Sequence, residues 1–192
     1  MDICHPIFRM MWSRRSFDLL AVGLLVVGGL WTYANRMAPA SLEQAQAAPQ
    51  AGFLAPDFTL GTLSGETITL SDLRGHAILL NWWASWCLPC RAEMPAMQRV
   101  YDHYRDDGFI VLAVNATLQD SRAAAQSFVD EFGFTYPILL DLDGSVASLY
   151  RLRAFPSSYF IDAEGVISEV VIGGPMDEAL LATRVEQLLG GN

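Results

Sequence analysis

The chain has no lysine. All 12 basic residues among its 192 are arginines, 21 acidic residues outweigh them, and the formal net charge is −9. Cysteine and histidine are scarce at three each, and three cysteines are too few for a disulfide-stapled scaffold or a four-cysteine zinc site. Charge of either sign is sparse, at 17% of residues against 52% hydrophobic. That balance excludes global disorder. Four arginines (Arg9, Arg14, Arg15 and Arg36) precede Gly52, so from Phe53 onward 8 arginines face 18 Asp and Glu. A region so acidic repels phosphate backbones, and no nucleic-acid partner is expected. No repeat is visible, and the length suits one domain plus an appendage, since domains commonly run to roughly 100–150 residues.

What is present begins with an uncharged apolar run from Leu19 to Ala34. Sixteen helical residues reach about 24 Å, somewhat short of the ~30 Å hydrocarbon core. Trp31 and Tyr33 stand at its far end, where amphipathic rings favour the membrane–water boundary. Arg9, Arg14 and Arg15 precede it, so the positive-inside rule leaves residues 1–18 in the cytoplasm and puts everything after Ala34 outside. Residues 19–34 therefore read as a transmembrane anchor or an export signal, the expected arrangement being a single-pass, uncleaved anchor. Cleavage is the alternative, because Ala38-Pro39-Ala40 and Ala45-Gln46-Ala47 are small-x-small sites and Ser13-Arg14-Arg15-Ser16-Phe17 resembles a twin-arginine signal. Interspersed glycines and hydrophobicity on all faces speak against a buried core helix. Residues 35–52, rich in Ala, Gln and Pro, read as a flexible linker. The folded domain is expected over 53–192.

Within that domain, residues 58–60 and 67–70 predict a short hairpin turning at Ser64-Gly65. Continuous apolar runs at 76–83, 109–114 and 136–140 predict buried strands. Helical spacing covers 88–105 and 122–132, and a short helix ends at Tyr150. Strands at 158–161 and 166–172 flank the turn Asp162-Ala163-Glu164-Gly165, and an amphipathic helix at 176–189 closes the chain. Strands alternating with helices describe an α/β domain with a mixed sheet between helices.

Two of the three cysteines form Trp86-Cys87-Leu88-Pro89-Cys90, placed where a buried strand gives way to a helix. At a helix start, Cys87 lies at the N-terminal end and Cys90 one turn in, so both sulfurs can approach disulfide distance. The free N–H groups and positive dipole end favour a thiolate at Cys87. Pro89 is tolerated in the first turn, where its missing N–H costs nothing. The chemistry that follows is exchange: Cys87 attacks a substrate disulfide and Cys90 resolves the mixed disulfide, the reverse sequence oxidising dithiols. A zinc site needs two further ligands, and His76 and His103 stand at no ligand spacing, so no metal is expected. Cys4 lies on the far side of the apolar run and cannot join the pair.

The stretches Ala55-Pro56-Asp57-Phe58, Asn81-Trp82-Trp83-Ala84-Ser85-Trp86-Cys87-Leu88-Pro89-Cys90-Arg91-Ala92-Glu93-Met94-Pro95 and Phe155-Pro156-Ser157-Ser158-Tyr159-Phe160-Ile161-Asp162 resemble the thioredoxin superfamily. The likeness is to its membrane-tethered TlpA/ResA-type thiol–disulfide oxidoreductases, and it runs from about Phe53 to Leu189. It implies a thioredoxin-like three-layer sandwich with an N-terminal β-hairpin extension. It implies a cis-proline at Pro156 facing the cysteines, where the missing N–H leaves the backbone free to receive an extended substrate strand. It also implies that Glu93 is a buried acid exchanging a proton with Cys90, against the ordinary alternative of a surface helix charge. Asn81 stands where thioredoxin has a buried aspartate, which favours the TlpA-like branch. Trp86, Leu88, Pro89, Phe155 and Pro156 become the expected substrate-binding residues, while Trp82 and Trp83 read as core.

The expected function is then an extracytoplasmic reductase of protein disulfides, supplied by a membrane electron donor because that compartment is oxidising. In related proteins the substrates include apocytochrome c thiols. No cofactor is expected beyond the Cys87–Cys90 disulfide itself. Two rivals remain. Peroxiredoxins share the fold and the early Ala-Pro-Asp-Phe stretch, but peroxide chemistry needs Thr or Ser and Arg around one cysteine. A copper metallochaperone would use Cys87 and Cys90 as soft ligands without turnover.

Overall fold

The structure, a computed structural model, describes residues 24, 26, 28, 29, 31 and 47–190. The expected cytoplasmic segment 1–18 and most of the expected anchor and linker lie outside the described residues. Residues 24, 26, 28, 29 and 31 are helical, with Leu24, Val26 and Trp31 exposed. Among the described residues no helix is long and apolar enough to cross a membrane.

The domain opens with an antiparallel pair, β1 (Thr59–Gly61) and β2 (Thr67–Thr69), joined through Ser64-Gly65. It continues as β3 (Ala77–Trp83), α1 (Leu88–Tyr104), β4 (Phe109–Asn115), α2 (Arg122–Phe132), β5 (Ile138–Leu140), α3 (Ser145–Leu149), β6 (Ser157–Ile161), β7 (Ile167–Ile172) and α4 (Glu178–Gly190). The main sheet has the order β5-β4-β3-β6-β7. β3, β4 and β5 are parallel, which requires helical crossovers; β6 pairs antiparallel with β3, and β7 antiparallel with β6.

Every residue of β3 is buried because this central strand is covered on both faces. Its period of two divides the core. Ile78, Leu80 and Trp82 pack with Leu112, Val114, Tyr150 and Tyr159 on the side of α3. Leu79 and Trp83 pack with Met94 and Met97 of α1, Phe128 of α2, and Leu181 and Val185 of α4. Burying a side chain of this size is worth about 1.5–3 kcal/mol. Two packed layers on a five-stranded sheet complete the expected three-layer sandwich.

The stretch before the sheet is less free than its composition predicts. Ala48 N–H donates to Leu54, and Gly52 N–H to the carbonyl of Ile167, whose own N–H donates to Phe53. Residues 47–52 thus belong to the domain, because they supply partners for polar backbone that a buried strand start would leave unpaired. At the opposite edge Leu63 N–H donates to Ile138, so hairpin backbone covers β5. The Ala55-Pro56-Asp57-Phe58 stretch is tied in at three points. Pro56 carbonyl accepts from Tyr150 Oη at 2.8 Å, Asp57 accepts from Ser71 N–H at 2.9 Å, and Phe58 is buried.

Candidate active site

Strand β3 ends at Trp83, and the chain turns through Ala84-Ser85-Trp86 into α1 with Cys87 as its N-cap. Cys87 and Cys90 form a disulfide with Cα atoms 5.3 Å apart. Cys87 Sγ also accepts from Cys90 N–H at 3.2 Å, and Pro89 occupies the first turn. One of the helix's free donors therefore points at the outer sulfur. Cys87 is only 4% exposed but lines an open groove of about 840 Å³, whereas Cys90 is wholly buried.

The turn before the cysteines is clamped. Asp120, just beyond β4, accepts from Ser85 N–H at 2.6 Å, Ser85 Oγ at 2.7 Å and Asn115 Nδ2 at 2.9 Å. Burial pushes the Asp120 carboxyl up, but those hydrogen bonds outweigh it and hold it below the ordinary carboxylate range. Trp86 Nε1 donates to Gln119 carbonyl at 2.9 Å, fixing an indole that is 56% exposed. Sequence reasoning missed Asp120 entirely, since nothing local distinguishes it from a surface aspartate.

The expected substrate-binding residues converge. Phe155 stacks edge-to-face on Trp86 with centroids 5.8 Å apart, and the Phe155–Pro156 peptide is cis. Trp86, Leu88, Pro89 and Phe155 all line the groove with Cys87, and Leu88 is 77% exposed. Pro156 itself is buried. The antiparallel register pairs Ser157 with Trp82, which carries Pro156 to the end of β3 beside the active-site turn.

Glu93 is not a surface helix charge. It is fully buried on α1, one turn after Cys90 and hence on the same helix face. Oε1 accepts from Asn81 Nδ2 at 2.8 Å and Oε2 from Met176 N–H at 3.0 Å. Desolvation raises its proton affinity above the ordinary value, and the two hydrogen bonds only partly offset that. Asn81 Nδ2 also donates to Ser158 Oγ at 2.9 Å, while its Oδ1 has no hydrogen-bond partner among the described residues. Gly174 completes the cluster: a Cβ there would lie 2.7 Å from both Glu93 Oε2 and Pro156 Cγ. Only a glycine lets the backbone run that close to the acid and the cis-proline.

A helix-capping CxxC disulfide beside a cis-proline, on a five-stranded sheet between helices, defines a thioredoxin-like thiol–disulfide oxidoreductase. The AhpC/TSA family pattern matches residues 51–170. Thioredoxin-like protein YneN of Bacillus subtilis is 44% identical over 125 residues, 65% of this chain and 72% of that protein. Thiol-disulfide oxidoreductase ResA of Halalkalibacterium halodurans is 36% identical over 167 residues, 87% of this chain and 89% of its own. Among solved structures, thiol:disulfide interchange protein DsbE of Chlorobium tepidum superposes with a TM-score of 0.68 at 32% identity, over 73% of this chain and 99% of that one. The chain belongs to the AhpC/TSA family and, within it, to the ResA-like thiol–disulfide oxidoreductases.

Proposed function

We propose that this protein reduces disulfides of exported proteins, with Cys87 as nucleophile, Cys90 as resolving thiol and Glu93 as proton acceptor. The observation that carries the proposal is the asymmetry of the pair: one sulfur borders an open groove, and the other is fully buried, one helical turn before a buried carboxyl. In the dithiol form the start of α1 stabilises a Cys87 thiolate. That thiolate bonds to one substrate sulfur as the substrate S–S bond breaks, and the departing sulfur takes up a proton. Cys90 then gives its proton to Glu93 and attacks Cys87 Sγ, and the second substrate sulfur leaves as a thiolate that takes a proton from solvent. The pair has lost two electrons and the substrate has gained them. No further cofactor enters. In this reading a membrane donor returns the two electrons, and the arginine-preceded apolar run supports a domain held outside the cytoplasm on an uncleaved anchor. The family resemblance extends the substrates to apocytochrome c disulfides.

Two contacts weigh against peroxide reduction at Cys87. Ser85 Oγ is committed to Asp120, and the Arg91 guanidinium sits 4.3 Å over the Phe128 ring and pairs with Glu131. Neither is free to polarise a peroxide at Cys87. Trapping tests the proposal. The Cys90→Ala protein, expressed with its full N-terminus and recovered in membranes, should accumulate mixed disulfides through Cys87, and their partners identify the substrates. Absence of any such adduct would overturn the reading, and tight Cu(I) binding without exchange would replace it with the metallochaperone.

A further inference from the structure

The groove beside Cys87 differs from the rest of the domain in charge. The domain is strongly acidic, yet among the described residues no carboxylate lines the groove, whereas Arg151 and Arg153 both do. Both are exposed. Among the described residues, neither has an ion-pair partner, unlike Arg91, Arg99, Arg105 and Arg184. The Arg151 backbone has φ +50°, the one left-handed non-glycine residue described. An arginine in that region is disfavoured and persists only where the surroundings hold it there. Here Arg151 N–H donates to Ser148 and Leu152 N–H to Ala147, which lock the turn leading from α3 to Phe155. The remaining walls are mainly apolar, chiefly Trp86, Leu88, Leu118 and Phe155, with Gln119 and Ser148 as neutral polar groups.

We infer that the groove receives a substrate segment with acidic residues flanking its disulfide, seated on the apolar wall with its carboxylates against Arg151 and Arg153. The inference rests on the Cys87 exchange reading and adds to it the chemistry of the preferred partner. Guanidinium groups without an ion-pair partner among the described residues, on a domain of net negative charge, attract carboxylates and repel basic segments, which sets the choice among substrates that share the same disulfide. The surrounding acidic surface sharpens that choice, because a basic segment is drawn elsewhere on the domain.

The test uses the full chain, reduced and freed of reductant, in single-turnover reaction with three peptides. Each carries one intramolecular disulfide, flanked by aspartates, asparagines or arginines, and thiol formation is followed by alkylation and mass analysis. Two exposed ion pairs of a few-fold each make the aspartate peptide react about tenfold faster than the arginine peptide at low salt. High salt narrows the gap. In Arg151→Glu/Arg153→Glu the preference reverses, an outcome that only a folded, active protein can give. Arg153→Glu alone, which leaves the left-handed turn intact, shifts the ratio part of the way. Equal rates for the three peptides in the unaltered protein, or an unchanged order in both variants, would overturn the inference while leaving the exchange activity standing. Failure to reduce any of the peptides overturns the exchange reading itself.

Discussion

The two sides of the Cys87–Cys90 disulfide are built from opposite materials. On the groove side the walls are exposed or half-buried: Trp86, Leu88 and Phe155 present apolar surface to solvent, and Arg151 and Arg153 line the same groove with no ion partner among the described residues. On the inner side Cys90, Glu93, Asn81 and Ser158 are all buried, and their polar atoms are spent largely on one another. The outer side can therefore exchange partners without disturbing the core, and the inner side can move a proton without admitting water. The difference teaches where each kind of substitution should register: inside on rate and pH dependence, outside on the choice of substrate.

The largest expected effect tests the inner side. Glu93→Gln keeps the shape but removes the proton acceptor, so resolution of the mixed disulfide should slow by on the order of 100-fold, while formation through Cys87 changes little. Stability should respond in a defined pH window. An unfolded Glu93 ionises near its ordinary value of 4.5, whereas the native carboxyl retains its proton to higher pH. Its contribution to stability is thus complete below about 4.5 and is lost as pH rises through the raised native value. Melting temperature followed against pH should show that slope in the parent and lose it in Glu93→Gln. Parallel curves would mean that Glu93 titrates normally, and the contrast between the two sides would fail.

Asp120 lies on the boundary, clamping the turn that presents both sides. Asp120→Asn weakens charge-assisted hydrogen bonds from Ser85 and should destabilise the fold by about 2 kcal/mol in chemical denaturation. Because the native Asp120 carboxyl is held below its ordinary value, its contribution is present above the unfolded value and lost as pH falls through the native one. A substitution with no cost at neutral pH, or with a cost that grows toward acid, would show the clamp to be idle. The smallest expected effect belongs to the outer side. Leu88→Ala removes an exposed side chain, so stability should stay within about 0.5 kcal/mol while reaction with a protein disulfide slows a few-fold. A large loss of stability would mean that Leu88 packs into the domain and does not face substrate.

Much of this architecture is legible in the sequence. The run at 76–83 reads as a strand buried on both faces because apolar residues occupy both of its alternating faces, and all seven residues of β3 are buried. The 122–132 helix is bounded by signals that the structure uses: Ser121 caps it through Ala124 N–H, and Gly133 takes the left-handed conformation after it. The third predicted strand is too long at its start. Tyr136 packs instead under α1, with its hydroxyl on the Met94 carbonyl, and β5 begins after Pro137. Glu93 was legible only through family resemblance, because an unpaired glutamate on a helix reads first as solvent-facing. Its partner Asn81 is 12 residues away and that amide's other contact, Ser158, is 77 away.

By itself the sequence determined the local matter: which segments are strands and helices, that two cysteines sit at a helix start, and that a proline precedes the strand opposite them. Periodicity, capping residues and spacing act over a few positions, and a single chain displays them directly. The tertiary structure decided which distant side chains share a low-dielectric enclosure. It closed Asn81, Gly174 and the Met176 amide around Glu93, tied Asp120 to Ser85, and set Arg151 and Arg153 into the groove that the outer sulfur lines. Burial and through-space hydrogen bonding belong to the packed arrangement, and no short window of sequence carries them.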